Sequence, residues 1–168
     1  DIEDHKAFDF INFSSDFLKN ECQKNFDLDI KKILSLGYPR CDQFFKKNKT
    51  KIFKYIIGKD KLNSKVILYT PTWRGYKYSF PLNYMKGINY NNLNNFLKKN
   101  DLFFFYSCHP NQKNKNIPLN FSRIKFIDIK KLPFYDTNEF LMEVDILIND
   151  YSTTSTDFAI LKRPQLFF

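Results

Sequence analysis

Apolar residues gather into short, nearly unbroken runs at 66–69, 102–107, 124–127 and 144–148. Each has the length of a strand, and as a set they lack the strict in-out alternation of a strand with one wet face. Burial on both faces is the reading that follows. Between the runs lie stretches of helical character. Residues 91–99 place Leu93, Phe96 and Leu97 on one helical face, 138–142 reads as a short helix, and 154–161 as another. Residues 165–168 begin one more strand. Strand and helix thus alternate from Val66 to the end, which predicts an α/β fold with a parallel sheet between helices.

The first part of the chain is less regular. Residues 7–13 alternate and are aromatic-rich, predicting a short strand, and Ser14 and Ser15 can cap a helix over 16–25. A short apolar run at 33–36 is broken by Gly37-Tyr38-Pro39-Arg40, and 42–57 carries apolar residues at near-helical spacing among lysines. The stretch from Pro71 to about 89 is irregular, and 111–120 is a polar, basic loop.

Composition narrows the class. The 168 residues are 43% hydrophobic and 18% aromatic, with 4 Gly and 7 Pro, which excludes disordered and collagen-like chains. No apolar run approaches the ~18 residues of a membrane-spanning helix, and no basic-then-apolar leader opens the chain. The chain starts without Met and stops at Phe167-Phe168 inside a predicted strand, so it is read as a fragment of a longer protein. Lys and Arg outnumber Asp and Glu by 27 to 18, a net charge of +9 that favours an anionic partner. A solvated lysine-rich surface accounts for most of that excess. Cys22, Cys41 and Cys108 are odd in number and lack metal-ligand spacing, which predicts reduced thiols and no metal site.

In parallel sheets ligands bind beyond the carboxyl ends of strands. Three polar clusters follow predicted strands: Thr72-Trp73-Arg74, His109, and residues 150–154. They are expected to converge on one edge. The run Asp150-Tyr151-Ser152-Thr153-Thr154-Ser155-Thr156-Asp157 leads from a strand through hydroxyl side chains into a helix. Free N–H groups of a first helical turn attract anions by about 0.3–1 kcal/mol, and the hydroxyls add donors, so a diphosphate seat fits. A helix cap fits equally, because Thr154 and Asp157 have capping-box spacing. Both hold if Ser152 and Thr153 face ligand while Thr154 caps. His109 is either packed or a group able to carry charge near neutral pH. Arg74 is a surface arginine or a planar fork for phosphate oxygens; Trp73 packs, and can also cover a site mouth.

Four segments in order carry a family resemblance: Gly37-Tyr38-Pro39-Arg40 with Asp42; 67–74 with its Thr70-Pro71-Thr72-Trp73-Arg74; His109-Pro110; and Asp150-Tyr151-Ser152-Thr153 with Asp157-Phe158 and Arg163-Pro164. Together they resemble the CDP-glycerol glycerophosphotransferase family of teichoic-acid primases and polymerases. The resemblance implies a Rossmann-like donor-side domain of a glycosyltransferase-B-like architecture. Residues 1–40 would be the tail of the acceptor-side domain with its linker, and 41–168 an incomplete nucleotide-donor domain. Thr153 replaces the serine more usual there and keeps the hydroxyl.

The implied reaction transfers glycerol phosphate from CDP-glycerol to a hydroxyl of a lipid-linked, membrane-anchored polymer acceptor and releases CMP. His109 would contact the donor phosphate and stabilise the leaving group. Ser152, Thr153, Thr154 and the N–H groups after them would hold the diphosphate, with Arg74 supporting. Asp157 would bind donor hydroxyls, its capping role being the competing account. The acceptor base would be a histidine of an upstream His-Gly-Thr-Pro segment that has no match here, so the chain by itself is expected to be inactive. No cofactor or metal is expected beyond the donor substrate. The implied location is peripheral, on the cytoplasmic face of the cell membrane, where an anionic lipid surface would meet the lysines. Two alternatives stand beside this: a ribitol phosphate or sugar transferase on the same fold, and a basic nucleic-acid-binding domain. The second fits poorly, because the aromatics fall in strand-like runs, and no nucleic-acid partner is expected.

Overall fold

The computed structural model describes residues 8–26, 28–46, 51–59, 63–72, 88–107, 120–128, 132, 136–150 and 152–167. The chain divides into two compact units, Asp1–Lys46 and Lys47–Phe168. Among the described residues no helix is long and apolar enough to cross a membrane.

The first unit holds a strand–helix–strand turn: β1 (Ile11–Phe13), α1 (Asp16–Phe26) and β2 (Ile33–Ser35). The strands pair in parallel with Ile11 opposite Ile33. The Asn12 side chain secures the exit from β2 by accepting from Leu36 N (2.9 Å) and donating to Gly37 O (2.6 Å). Gly37 takes φ +79°, where a Cβ would be strained. The helical periodicity expected over 42–57 resolves differently. Residues Pro39–Phe45 form a 3-10 segment, and α2 spans only Ile52–Ile57 before Gly58 ends it at φ +79°. Pro39, at the start of the first segment, supplies no N–H to a preceding turn. The left-handed glycine is a standard helix stop.

The second unit is built on a five-stranded sheet in the order β5-β4-β3-β6-β7, every pair parallel. Its strands are β3 (Lys65–Thr70), β4 (Leu102–Tyr106), β5 (Ile124–Phe126), β6 (Ile146–Asn149) and β7 (Gln165–Phe167). The four apolar runs are therefore neighbours in one parallel sheet, as the sequence predicts. Burial on both faces follows too, and β4 shows how. Phe103, Phe104, Phe105 and Tyr106 are all buried, and successive side chains point to opposite faces. Phe103 and Phe105 meet Phe53 of α2 at ring distances of 5.0 and 5.9 Å, and Phe105 stacks on Phe140. Phe140 belongs to α4 (Thr137–Leu141). Phe104 and Tyr106 pack in a cluster with Tyr69, Ile124 and Leu97. Each such side chain contributes about 1.5–3 kcal/mol on burial.

Helix α3 (Tyr90–Lys99) corrects one expectation. Phe96, expected on the buried face, is 55% exposed, whereas Leu97 and the polar Asn94 are buried. The face turned to the sheet follows Tyr90, Leu93, Asn94 and Leu97, a helical i, i+3, i+4, i+7 stripe. Asn94 belongs there because its Oδ1 accepts the Arg123 N–H at the start of β5 (3.1 Å).

Candidate functional site at the carboxyl edge of the sheet

The parallel register brings the three central strands to a common end. Thr70 pairs with Asn149, and Ser107 follows Tyr106, the partner of Tyr69. Ser107 N–H donates to Tyr69 O (3.0 Å), which keeps β4 alongside β3 to this point. Polar residues thus close all three strands, with Ser107 and Asn149 buried in the edge itself. That row is the position where parallel sheets of this type receive ligands.

Above the row two loops are tied together. Asp150, 8% exposed, accepts the Thr72 N–H at Oδ1 (2.6 Å). The Thr72 hydroxyl reaches the same Oδ1 (2.5 Å) and the Asp150 carbonyl (3.0 Å). A carboxylate taken out of water costs several kcal/mol unless donors meet it, and Thr72 supplies them.

Two residues on, Ser152 caps α5 (Thr153–Ala159), its Oγ accepting from Thr154 N at 3.3 Å. The Ser155 hydroxyl returns a bond to Ser152 O (2.7 Å). This corrects the expected cap. Ser152, not Thr154, ends the helix, and Thr154 with Asp157 forms no capping box because both lie inside the helix. Ser152 is non-helical (φ −74°, ψ 152°), the backbone a cap needs. The first serine after Asp150 therefore wins the cap, and the helix starts one residue earlier than its pattern suggests.

Ser152, Thr153 and Thr154 share this one turn: Thr153 is exposed, and Ser152 and Thr154 are half-buried. The N–H of Thr153, the helix's first residue, has no intrahelical acceptor and sits beside the exposed Thr153 side chain, while the Ser152 hydroxyl donates to Thr154 Oγ1 (3.2 Å) within the cap. Asp157 sits one turn further along α5 and is 7% exposed, deeper than a freely solvated acid. Gln165 of β7 holds the turn from behind, donating Nε2–H to Ser155 O (3.1 Å). Arg74 and His109, with Trp73 and Tyr151, lie outside the described residues, so their expected convergence on this edge, including His109 near Ser152 and Thr153, falls outside them too. Sequence reasoning missed the roles of Thr72 and Asp150. The available signal was an acid directly after one strand and a hydroxyl just after its parallel neighbour.

The opposite end of the sheet carries a different polar group. Asp101, at φ +50°, accepts from Arg123 Nη1 and from Ser64 Oγ, each at 2.8 Å. Those bonds, Arg123 first and Ser64 second, hold its carboxyl below the usual range. The Arg123 guanidinium also lies 4.4 Å from the centre of the Phe103 ring.

A parallel α/β sheet with a capped helix behind a polar carboxyl edge is a Rossmann-like domain. Residues 1–168 match the family model described as CDP-Glycerol:Poly(glycerophosphate) glycerophosphotransferase, and the chain belongs to that family. It is 31% identical over 173 residues to the teichoic acid poly(ribitol-phosphate) polymerase of Bacillus spizizenii, covering 99% of this chain and 27% of that protein. It is also 31% identical over 168 residues to the teichoic acid glycerol-phosphate primase of Bacillus subtilis, covering 98% of this chain and 40% of the relative. Among solved structures it resembles the wall teichoic acid polymerase TagF, in a variant soaked with CDPG. There the TM-score is 0.70 at 28% identity, with 97% of this chain and 38% of TagF covered. The chain thus spans between about a quarter and two-fifths of the length of these relatives.

Proposed function

We infer that this chain is the donor-side part of an enzyme that transfers glycerol phosphate from CDP-glycerol to a hydroxyl of a membrane-anchored cell-wall or surface polymer, releasing CMP. The observation that carries this reading is the family match over all of residues 1–168. The edge geometry supports it, with a hydroxyl-rich turn opening on the carboxyl side of a parallel sheet.

The chemistry asked of the site is limited. An acceptor oxygen attacks the phosphorus that bears glycerol, the bridge to CMP breaks, and the acceptor proton leaves to a base. Negative charge repels the nucleophile at the start and builds on CMP at the end, so fixed donors serve both stages. Ser152, Thr153 and Thr154 with the first amides of α5 hold the diphosphate. Arg74 adds a charged contact, and His109 stabilises the departing CMP phosphate. Asp157 takes donor hydroxyls. The acceptor base belongs to an upstream histidine motif. The reading needs no cofactor or metal beyond the donor. Residues 1–40 then end the acceptor-side domain, and 41–168 form the donor-side domain. The net charge of +9 suits peripheral attachment to the anionic cytoplasmic face of the membrane, where each nearby Lys or Arg adds about 1 kcal/mol.

A second reading replaces the donor by CDP-ribitol, favoured by the 31% identity to a ribitol-phosphate polymerase. Radiolabelled CDP-glycerol and CDP-ribitol, each incubated with the full-length protein and a membrane acceptor, separate the two by CMP release. Faster turnover of CDP-glycerol is expected. Turnover of CDP-ribitol alone selects the second reading, and turnover of neither overturns both. Retention of RNA or DNA on a filter at moderate salt would point instead to a nucleic-acid-binding domain.

A further inference from the structure

The last rung of pairing between β3 and β6 is Thr70 with Asn149. Beyond it the two chains leave the sheet, and Pro71 has no N–H with which to continue the ladder. One residue later they are joined again, by the Thr72 N–H to Asp150 Oδ1 and by the Thr72 hydroxyl, whose one hydrogen is shared between Asp150 Oδ1 and O. Two residues past Asp150 is the cap Ser152, and two residues past Thr72 is Arg74. The contact therefore lies at the exits of β3 and β6, in sequence two residues before each of these candidate phosphate-holding groups.

The chemistry of the contact is unusual for a site that takes an anion. A carboxylate near a diphosphate repels it, and an apolar or neutral pair would tie the loops without that cost. Asp150 is instead buried with its Oδ1 occupied by two donors of one residue. Charge-assisted bonds of this kind are about twice as strong as neutral ones and fix direction. The Thr72 hydroxyl hydrogen is committed to Asp150, so Thr72 is not itself a donor to ligand.

We propose that Asp150 and Thr72 form a latch that locks the exit of β3 to the exit of β6, two residues before the α5 cap, making both positioning residues for the donor diphosphate held by the first turn of α5. The proposal rests on the functional reading above. It predicts that the latch sets donor affinity through preorganisation, and that chemistry after binding changes little.

The test uses the full-length protein. Thr72→Val keeps the N–H and the shape and loses the hydroxyl bonds; it should raise the apparent KM for CDP-glycerol about tenfold with kcat within about threefold. Thr72→Ser restores the hydroxyl and should stay within about twofold of wild type. Asp150→Asn should act in the same direction, and the double variant should be no worse than the worse single one, because the two residues act as one unit. Ser64→Ala, which removes a bond to Asp101 at the opposite end of the sheet, is the control: it should lower Tm and leave KM in place. An unmoved KM in both Thr72→Val and Asp150→Asn, or an equal shift in Ser64→Ala, overturns the latch. Absence of CDP-glycerol turnover in the wild type counts against the functional reading, and amide hydrogen exchange then decides the latch. Faster exchange at residues 152–155 in Thr72→Val than in Thr72→Ser supports it, and equal exchange overturns it.

Discussion

At the amino end of the five-stranded sheet, Ser64 and Arg123 both donate to Asp101, whose carboxylate is exposed, while the Arg123 guanidinium lies against an aromatic ring. At the carboxyl end, Asp150 and Thr72 are equally well bonded, yet Thr153, just beyond them at the start of α5, is exposed. Both ends join neighbouring strands through an aspartate. The first directs its donors onto an aspartate at the surface, whereas the second buries its aspartate under two donors of one residue and leaves the turn beyond it outside that contact. The direction of a parallel sheet explains the difference: helices begin at the carboxyl ends, so N–H groups and dipoles collect there.

The largest expected effect is at His109. In the full-length enzyme, His109→Ala should lower the transfer rate by roughly a hundredfold or more while donor KM moves little, the usual scale for losing a positioned charge stabiliser. Near-wild-type kcat with intact circular dichroism would remove His109 from the mechanism. Next in size, Ser152→Ala combined with Thr153→Val should raise donor KM about tenfold and change kcat less, because these contacts exist already in the bound ground state. A kcat loss larger than the KM change would reverse the roles assigned to the turn and the histidine.

At the amino end the expected effects are on stability alone. Arg123→Ala removes the guanidinium from Phe103 and from Asp101 and should lower Tm by roughly 1–4 °C, the scale of a cation–π contact of about 0.5–1 kcal/mol, with donor KM unchanged. A shifted KM would mean that the two ends are coupled. The smallest effect is a pH dependence. Asp101 has a lowered carboxyl pKa in the folded state, so its contribution is present above its unfolded value near 4 and is lost as pH falls through the folded one. Thermal melts of wild type and Asp101→Asn between about pH 5 and 2 should converge at the acid end; parallel curves would mean that Asp101 does not carry this dependence.

Much of the fold was legible because it rests on a local pattern. The run 102–107 reads as a strand buried on both sides, and the rings of Phe103 to Tyr106 do fill both faces. Phe96 shows where the pattern misleads. Its hydrophobicity suggested burial, but Asn94 won the inward face because a backbone N–H at Arg123 needed an acceptor there. The site was legible as a string of hydroxyls after a strand. Which one caps was not, since a cap is settled by the φ and ψ of one residue and not by its type.

The alternation of buried strands and helices is written into the order of residues, and with it the parallel sheet and the edge on which its polar clusters follow strands. Hydrophobic burial is nearly additive along the chain, so periodicity suffices to read it. The strand order β5-β4-β3-β6-β7, the pairing of Thr70 with Asn149, and the bond of Thr72 to Asp150 across 78 residues emerge only in the folded chain. Those depend on register and on the direction of single hydrogen bonds between distant segments, and a hydrogen bond is specified by distance and angle that no one-dimensional pattern carries.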